Sequence, residues 1–155
     1  MKIRDLKLIV YDFDGVMTDN KVYLDQNGKE IVKVCRADGL GVSGIKRIGI
    51  EQIIISTENN PVVQARASKL KIDCFQGVKN KKDCLIDYCK NNDVNLKFVG
   101  FIGNDINDQD VMGVVGLSFC PSDAHADIKS ISNYLLETSG GNGVARELLD
   151  LILKQ

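Results

Sequence analysis

The chain alternates short, β-branched apolar runs with longer segments in which apolar residues recur every three to four positions. The apolar runs are KLIVY (7–11), QIIIS (52–56), FVGFI (98–102), GLSFC (116–120) and NYLLE (133–137). Helical segments lie between them, one beginning at Asn60 and Pro61 and another covering 80–91. Strands that take turns with helices form parallel sheets with helices on both faces. The sequence therefore predicts a three-layer, Rossmann-like α/β fold.

One insertion interrupts this alternation directly after the first strand. Residues 21–34, KVYLDQNGKEIVKV, form two alternating runs around Asn27-Gly28, a dipeptide that is a strong signal for a β-hairpin. We expect the hairpin to overhang the end of the first strand or to pair with another subunit. Because the 155 residues contain no repeat and no linker and suffice for one core, we predict a single domain over 1–155.

Charge and hydropathy restrict the partners of this chain. The formal net charge is −1 and the lysines and arginines are scattered, so we predict no nucleic-acid partner. No apolar run approaches the ~20 residues that span a bilayer, and the N-terminal segment lacks a secretory signal, which predicts no membrane association and a cytoplasmic location. The five cysteines contain no C-x-x-C and are predicted to be reduced thiols.

The residues at the ends of the predicted strands are rich in oxygen ligands. They are Asp12 and Asp14 after the first strand, Ser56, Thr57 and Glu58 after the next, and Asn104, Asp105 and Asp108 in GNDIND. Each group alone is typical of a turn or a helix cap, but the carboxyl ends of parallel strands meet at one edge of a sheet. Carboxylates from two strand ends repel each other unless a hard cation lies between them, and such ligands suit Mg²⁺. With Lys81 at the start of a helix nearby, the set predicts a phosphate site.

These residues resemble, in order and spacing, the four motifs of the haloacid dehalogenase superfamily of phosphatases. The motifs are Asp12-x-Asp14-Gly15-Val16-x-Thr18, then Ser56, then Lys81, then Gly103-Asn104-Asp105-x-Asn107-Asp108. The hairpin and the terminal SGGNGVARELL (139–149) are similar to the branch without a cap domain, which dephosphorylates 3-deoxy-2-keto sugar acids. Its members act on 3-deoxy-D-manno-octulosonate 8-phosphate or on sialic-type nonulosonate 9-phosphates. A related module is fused to some acylneuraminate cytidylyltransferases.

The resemblance implies a role for each motif residue. Asp12 would be the nucleophile that forms an aspartyl-phosphate, and Asp14 would be the general acid and base. Ser56 and Lys81 would hold the phosphoryl group. Mg²⁺ would be bound by Asp12, by the main chain at Asp14, and by Asn104 with help from Asp105 or Asp108. Because Asn104 stands where most members have the aspartate that binds the metal, we expect weaker Mg²⁺ binding.

Substrate contacts follow from the same resemblance. They are Thr18, Thr57, Glu58, Arg66, Lys69 and Arg146. Thr57-Glu58 replaces the Gly-Arg typical of enzymes acting on the octulosonate, which slightly favours a nonulosonate 9-phosphate. The alternative for Glu58, Arg66 and Lys69 is a solvated helix start with an exposed basic face.

The branch also implies a homotetramer in which the hairpin and a neighbour's glycine-rich tail, with Gly140, Gly141 and Gly143, cover each site. A second functional hypothesis is a weakly active oligomerisation or regulatory module that works beside a cytidylyltransferase.

Overall fold

A six-stranded, fully parallel sheet forms the centre of the computed structural model, which describes residues 1–155. Its strands are β1 (Leu8–Tyr11), β4 (Glu51–Ile55), β5 (Asp73–Phe75), β6 (Val99–Ile102), β7 (Leu117–Cys120) and β8 (Tyr134–Leu135). They are ordered β5-β4-β1-β6-β7-β8. The chain moves outward from β1 to one side and returns to the other side with β6, so the order reverses next to β1. Such a reversal opens a crevice at the carboxyl ends of the strands.

Helices cover both faces of the sheet. They are α1 (Arg36–Arg47), α2 (Val62–Leu70), α3 (Lys81–Asn91), α4 (Gln109–Met112), α5 (Ala126–Ile131) and α6 (Val144–Leu153). Alternate residues of β1 enter different cores: Ile9 and Tyr11 pack with α1, α2 and α6, whereas Leu8 and Val10 pack with α3, α4 and α5. The prediction of a three-layer α/β fold is confirmed.

The hairpin is a separate two-stranded sheet made of β2 (Thr18–Leu24) and β3 (Glu30–Val34). Gly28 has a φ of 78°, which is the conformation expected of the glycine in this turn. Val22, Tyr23, Leu24 and Ile31 are exposed apolar side chains. No separate cap domain follows the hairpin, in agreement with the predicted architecture. None of the helices is both long and apolar enough to cross a bilayer.

Two features of the fold lie outside the sequence predictions. The three-residue strand β5 at the edge of the sheet was not predicted, because DCF is too short to show a period. The RADG segment (36–39) forms the first turn of α1, which begins at Arg36 and was not among the helices located from the sequence. Gly41 and Gly44 lie in this helix because a Cβ atom at either position would overlap α6, at Ala145 and Leu149 respectively. Close packing against α6 therefore overrides the weak helix propensity of glycine.

Candidate active site

The loop after β1 positions two carboxylates. Asp12 donates its main-chain N–H to the carbonyl of Ile102 (2.9 Å), which continues the ladder between β1 and β6. Phe13 is buried, and its carbonyl accepts the N–H groups of Val16, Met17 and Thr18, so the chain turns sharply. Gly15 has a φ of 83°. Asp12 is buried and Asp14 is half-buried at the open end of the strand.

Lys81 lies between two buried carboxylates. Its Nζ donates to Asp12 Oδ1 and to Asp108 Oδ1, both at 2.7 Å, and its side chain is only 2% exposed. Lys81 is the first residue of α3, where Asn80 caps the helix by accepting the N–H of Asp83. A cation at this end of a helix is opposed by the dipole, so the carboxylates must account for its placement.

The burial of this cluster changes its protonation. Burial and the nearby Asp108 raise the pKa of Asp12 to about 7, although the ammonium of Lys81 acts in the opposite direction. Burial tends to lower the pKa of Lys81, but the two carboxylates raise it above its ordinary value. Lys81 is therefore charged at neutral pH and is the counter-ion that favours the ionised form of Asp12.

Asp108 supports the loop after β6. Its Oδ2 accepts the main-chain N–H groups of Asn104 (3.0 Å) and Asp105 (3.4 Å), while its Oδ1 is bound by Lys81. Gly103 is required because a Cβ atom there would lie 2.6 Å from Cβ of Asp108. Both oxygens of this fully buried carboxylate are thus occupied by protein donors.

The side-chain amide of Asn104 meets two oxygens from the loop after β1. One of its terminal atoms is 2.9 Å from the carbonyl oxygen of Asp14 and 3.0 Å from Asp12 Oδ2. If that atom is nitrogen, the amide donates to both oxygens; if it is oxygen, three acceptors face one another with no hydrogen between them. Without a cation, the first orientation is favoured.

This donor set fits a hard divalent cation. Adjacent ligands of octahedral Mg²⁺, each bonded at ~2.1 Å, lie about 3 Å apart, which matches the two distances from the Asn104 amide to the Asp14 carbonyl oxygen and Asp12 Oδ2. Nowhere in the chain are three histidine, cysteine, aspartate or glutamate side chains arranged to hold a metal ion. A carboxylate, a main-chain carbonyl and an amide therefore make up the convergent set, with fewer charges than a three-carboxylate site.

A polar cavity of about 100 Å³ opens beside these atoms. It is lined by Asp12, Asp14, Asn20, Thr57, Asn104, Asp105 and Asn107. Asn20 and Asn107 were not among the predicted site residues. Asn107 lies inside the quoted GNDIND segment, whereas Asn20 gives no sequence signal because the hairpin brings it here. Asp105 lines the cavity, and its side chain also accepts the N–H of Ile106.

A second cavity, of about 250 Å³, shares Asp14 and Asn20 and extends under the hairpin. It is lined by Asp14, Asn20, Val22, Glu30, Val32, Glu58, Asn60 and Val62. The carboxylate of Glu58 is fixed by the N–H groups of Asn59 (2.8 Å) and Asn60 (2.9 Å). Burial and the nearby Glu58 raise the pKa of Asp14, which favours a carboxyl group that retains a proton. The hairpin overhangs the site, as predicted.

The remaining predicted site residues are divided between the loops and the helices. Ser56 is buried and accepts the N–H of Glu58 (3.1 Å), so its hydroxyl stabilises the loop that carries Thr57. Thr18 is also buried; its hydroxyl accepts the N–H groups of Gly15 (3.2 Å) and Asn20 (3.1 Å) and contacts Asp14 Oδ1 at 3.5 Å.

The three predicted basic substrate contacts are not among the residues that line either cavity. Arg66 donates to the carbonyl of Cys35 (2.8 Å) on the α1 side, and Lys69 is exposed on α2. Arg146 is paired with Asp150 (3.4 Å) on α6. The structure therefore brings the predicted acids together with Lys81 and the Asn104 amide. It does not bring the three predicted basic substrate contacts to the same place.

The glycine-rich tail was expected to cover a neighbour's site, but it packs within its own chain. Gly141 donates to the carbonyl of Val16 (3.0 Å), and a Cβ atom at Gly140 would overlap the carbonyl oxygen of Gly15. The glycines are needed for this backbone contact behind the Asp12–Asp14 loop. After them the chain continues into α6, which packs on α1 of the same subunit.

Comparison with known proteins identifies the class. Residues 45–148 match the family model of haloacid dehalogenase-like hydrolases. The 3-deoxy-D-manno-octulosonate 8-phosphate phosphatase KdsC of Haemophilus influenzae is 31% identical over 99% of this chain and 86% of its own length. The chain belongs to the haloacid dehalogenase-like hydrolases.

Solved structures agree at the level of the fold and the branch. The 3-deoxy-D-manno-octulosonate 8-phosphate phosphatase of Yersinia pestis is 31% identical and superposes with a TM-score of 0.93, covering 98% of this chain and 83% of that one. The Moraxella catarrhalis enzyme of the same name, in complex with magnesium, phosphate and KDO, is 29% identical with a TM-score of 0.93 over 98% of this chain and 88% of that one. Within the family, the protein is a phosphatase of the branch without a cap domain.

Proposed function

We propose that the protein is a Mg²⁺-dependent phosphatase that hydrolyses the phosphate monoester of a 3-deoxy-2-keto sugar acid. The observation that carries this proposal is the convergence of Asp12, the Asp14 carbonyl and Asn104, with Lys81 bound to Asp12. The names of the relatives from Haemophilus influenzae and Moraxella catarrhalis support the substrate class.

Asp12 and Asp14 are proposed to divide the chemistry. An oxygen of Asp12 attacks phosphorus, the bond from phosphorus to the sugar oxygen breaks, and Asp14 donates its proton to that oxygen. Asp14 then accepts a proton from the water that cleaves the aspartyl-phosphate and releases inorganic phosphate. The raised pKa of Asp14 supports its first role, since the group must start protonated.

Lys81 and Asn104 are proposed to prepare this reaction. Lys81 favours the ionised form of Asp12 against the effect of burial and offers its ammonium to a phosphoryl oxygen. Mg²⁺, when bound, would supply positive charge that offsets the charge of the phosphate and of the nucleophile. The residues that would hold it are Asp12, the main chain at Asp14, and Asn104, with Asp105 at the cavity wall. Asp108 would act indirectly, by orienting Lys81 and the Asn104 loop.

Substitution Asn104→Asp is expected to lower the Mg²⁺ concentration for half-maximal phosphate release by roughly tenfold, because it adds a charged oxygen ligand. Without Mg²⁺ the same change is expected to lower the urea midpoint. The carboxylate cannot donate to Asp12 and Asp14 as the amide can. Asn95→Asp, at an exposed helix cap, is the control. Equal Mg²⁺ requirements in wild type and Asn104→Asp would contradict the proposed role of Asn104.

Between the two sugar acids, the local contacts and the relatives favour different substrates. Glu58 at the wall of the larger cavity can accept hydrogen bonds from a polyol or an amine, which favours a sialic-type nonulosonate 9-phosphate. The names of the relatives favour the octulosonate 8-phosphate. No cationic side chain lines the larger cavity, so the sugar carboxylate must be met from elsewhere.

Phosphate release from a panel of octulosonate and nonulosonate phosphates, with Mg²⁺ and with EDTA, tests the function. We expect metal-dependent turnover of at least one sugar-acid phosphate and faster turnover of the nonulosonate 9-phosphate. Turnover that is equally slow on all substrates, with and without Mg²⁺, would contradict the proposal. It would favour the weakly active regulatory module, for which the loss of a charged ligand at Asn104 is the supporting observation.

We further propose that 1–155 is one hydrolase domain that assembles as a cytoplasmic homotetramer. The exposed Tyr23 (73%) and Ile31 (57%), which face each other across the hairpin, support the assembly because they form an apolar surface that a second copy could cover. Light scattering on the eluting protein should give the mass of four chains. A mass of one chain at micromolar concentration would contradict the assembly.

A further inference from the structure

The segment 137–145 lies directly behind the Asp12–Asp14 loop and contacts it through backbone. Gly141 donates to the carbonyl of Val16, and a Cβ atom at this residue would overlap the N–H of Asp19. At Gly140, a Cβ atom would overlap the carbonyl oxygen of Gly15. Any displacement of these two glycines is therefore transmitted to the loop that carries Asp14, since no flexible side chain lies between them.

Three carboxylates from different parts of the chain fasten this segment. Glu147 accepts the N–H groups of Glu137 (2.9 Å) and Thr138 (2.8 Å), Asp123 accepts that of Gly140 (2.8 Å), and Asp38 accepts that of Ala145 (2.8 Å). Charged acceptors of backbone N–H groups make short and strong hydrogen bonds. Among the three, only Asp123 binds one of the two glycines that touch the catalytic loop.

The turn that carries Asp123 also contacts the opposite side of the site. His125, two residues further, donates its main-chain N–H to the carbonyl of Asn104 (2.8 Å). Ser122, one residue before, donates to the carbonyl of Thr138 (3.1 Å). One turn after β7 is thus bonded both to the loop that bears Asn104 and to the segment behind Asp14. The side-chain amide of Asn104 lies 2.9 Å from the carbonyl oxygen of Asp14, so this contact depends on the separation of the two loops.

We propose that Asp123 is a positioning residue, which sets the separation between the Asp12–Asp14 loop and the Asn104 loop through Gly140. This inference rests on the proposed function. Asp123 touches neither cavity and is exposed at the surface, so its contribution is expected to appear in the geometry of the site more than in global stability.

The experiment compares Asp123→Ala with Asp123→Asn, whose amide oxygen can still accept the N–H of Gly140. We expect Asp123→Ala to lower kcat about tenfold with KM changed less than twofold, because a displacement well below 1 Å at the reacting groups is sufficient. Asp123→Asn is expected to restore most of kcat. Asp87→Ala, an exposed aspartate on α3 without a side-chain hydrogen bond, is the matched control. The urea midpoints of all variants should stay close to that of the wild type.

A second readout separates this inference from the proposed function. Backbone amide chemical shifts of Gly15, Val16 and Asn104 are expected to move in Asp123→Ala, to return toward wild type in Asp123→Asn, and to be unchanged in Asp87→Ala. If the wild type lacks Asp12-dependent turnover but the shifts behave in this way, the proposed function fails and the positioning contact stands. Unmoved shifts, an unchanged kcat in Asp123→Ala, or a loss that Asp123→Asn does not restore would overturn the inference.

Discussion

Substitution Asp12→Asn is expected to reduce phosphate release from the sugar-acid phosphate by at least ~10³-fold. The amide has almost the same shape as the carboxylate, so the buried site keeps its packing, but it cannot attack phosphorus as an anion. Lys81 keeps a carboxylate partner, because Asp108 still accepts its second hydrogen bond. The measurement is the rate of inorganic phosphate release at saturating Mg²⁺, on the best substrate of the panel.

The control for this substitution is Asp87→Asn, which makes the same chemical change on an exposed face of α3. It should retain the wild-type rate. Urea unfolding of Asp12→Asn is expected to remain cooperative, so that the loss of rate cannot be attributed to unfolding. A rate for Asp12→Asn within tenfold of the wild type would exclude Asp12 as the nucleophile.

Substitution Lys81→Met is expected to cause the largest combined loss of activity and stability. It removes the buried cation between Asp12 and Asp108 and leaves their carboxylates unpaired. Breaking a buried ion pair from one side costs about 3–5 kcal/mol in the free energy of unfolding. We expect phosphate release to fall by ~10²–10³-fold as well, because the nucleophile becomes protonated and the phosphoryl group loses a donor.

The stability loss in Lys81→Met should depend on pH in a definite direction. The pKa of Asp12 is already raised to about 7 in the folded protein by burial and by Asp108, with Lys81 opposing. In the variant it rises further, whereas in the unfolded chain it stays at ~3.9. The folded state then binds more protons than the unfolded state, so its stability falls as pH rises through this interval.

Urea midpoints in EDTA at pH 5.5 and pH 8.5 measure this effect. As pH rises, the wild type should lose the stabilising contribution of Asp12 mainly before pH 7 is reached. Lys81→Met should continue to lose stability as the pH rises above 7. Lys82→Met, the adjacent lysine without a carboxylate partner, is the control and should follow the wild type. Parallel midpoints for Lys81→Met and wild type would show that Lys81 does not control the protonation of the cluster.

The amide at Asn104 gives this site a property that a carboxylate would not have. In the absence of a cation, the amide can donate to both Asp12 and the carbonyl of Asp14, so the two loops are held together by hydrogen bonds. A third carboxylate at that point would repel Asp12 unless a metal were bound. The expected cost is weaker attraction for Mg²⁺, because an amide oxygen brings no net charge.

Sequence alone was sufficient for five of the six strands of the sheet and for the oxygen-rich edge at which the candidate site lies. The runs that form β1, β4, β6 and β7 are predominantly apolar, as expected of central strands that are covered on both faces, and apart from Glu51 all their residues are buried. Residues at strand ends could be assigned to one edge because all parallel strands end there. The hairpin was also predictable, since Asn27-Gly28 specifies a local turn.

Tertiary packing decided the rest. Arg66 was predicted to contact the substrate, but its guanidinium donates to the carbonyl of Cys35. Asp108 was predicted to help bind the metal, but its oxygens accept hydrogen bonds from Lys81 and from two main-chain N–H groups. The glycine-rich tail was predicted to cover a neighbour's site, but its glycines pack behind the Asp12–Asp14 loop of their own chain.

There is a physical reason why some features follow from the sequence and others only from the tertiary structure. Strand period, turn conformation and the type of atom at a strand end depend on residues close in the sequence, so the chain by itself determined the fold class and the oxygen-rich edge. Which oxygen faces the cavity and which accepts a hydrogen bond depends on donors that are distant in the sequence, such as Lys81 for Asp12 and Gly140 for Asp123. Only the tertiary structure brings those donors within 3 Å of their acceptors, and it alone decided their roles.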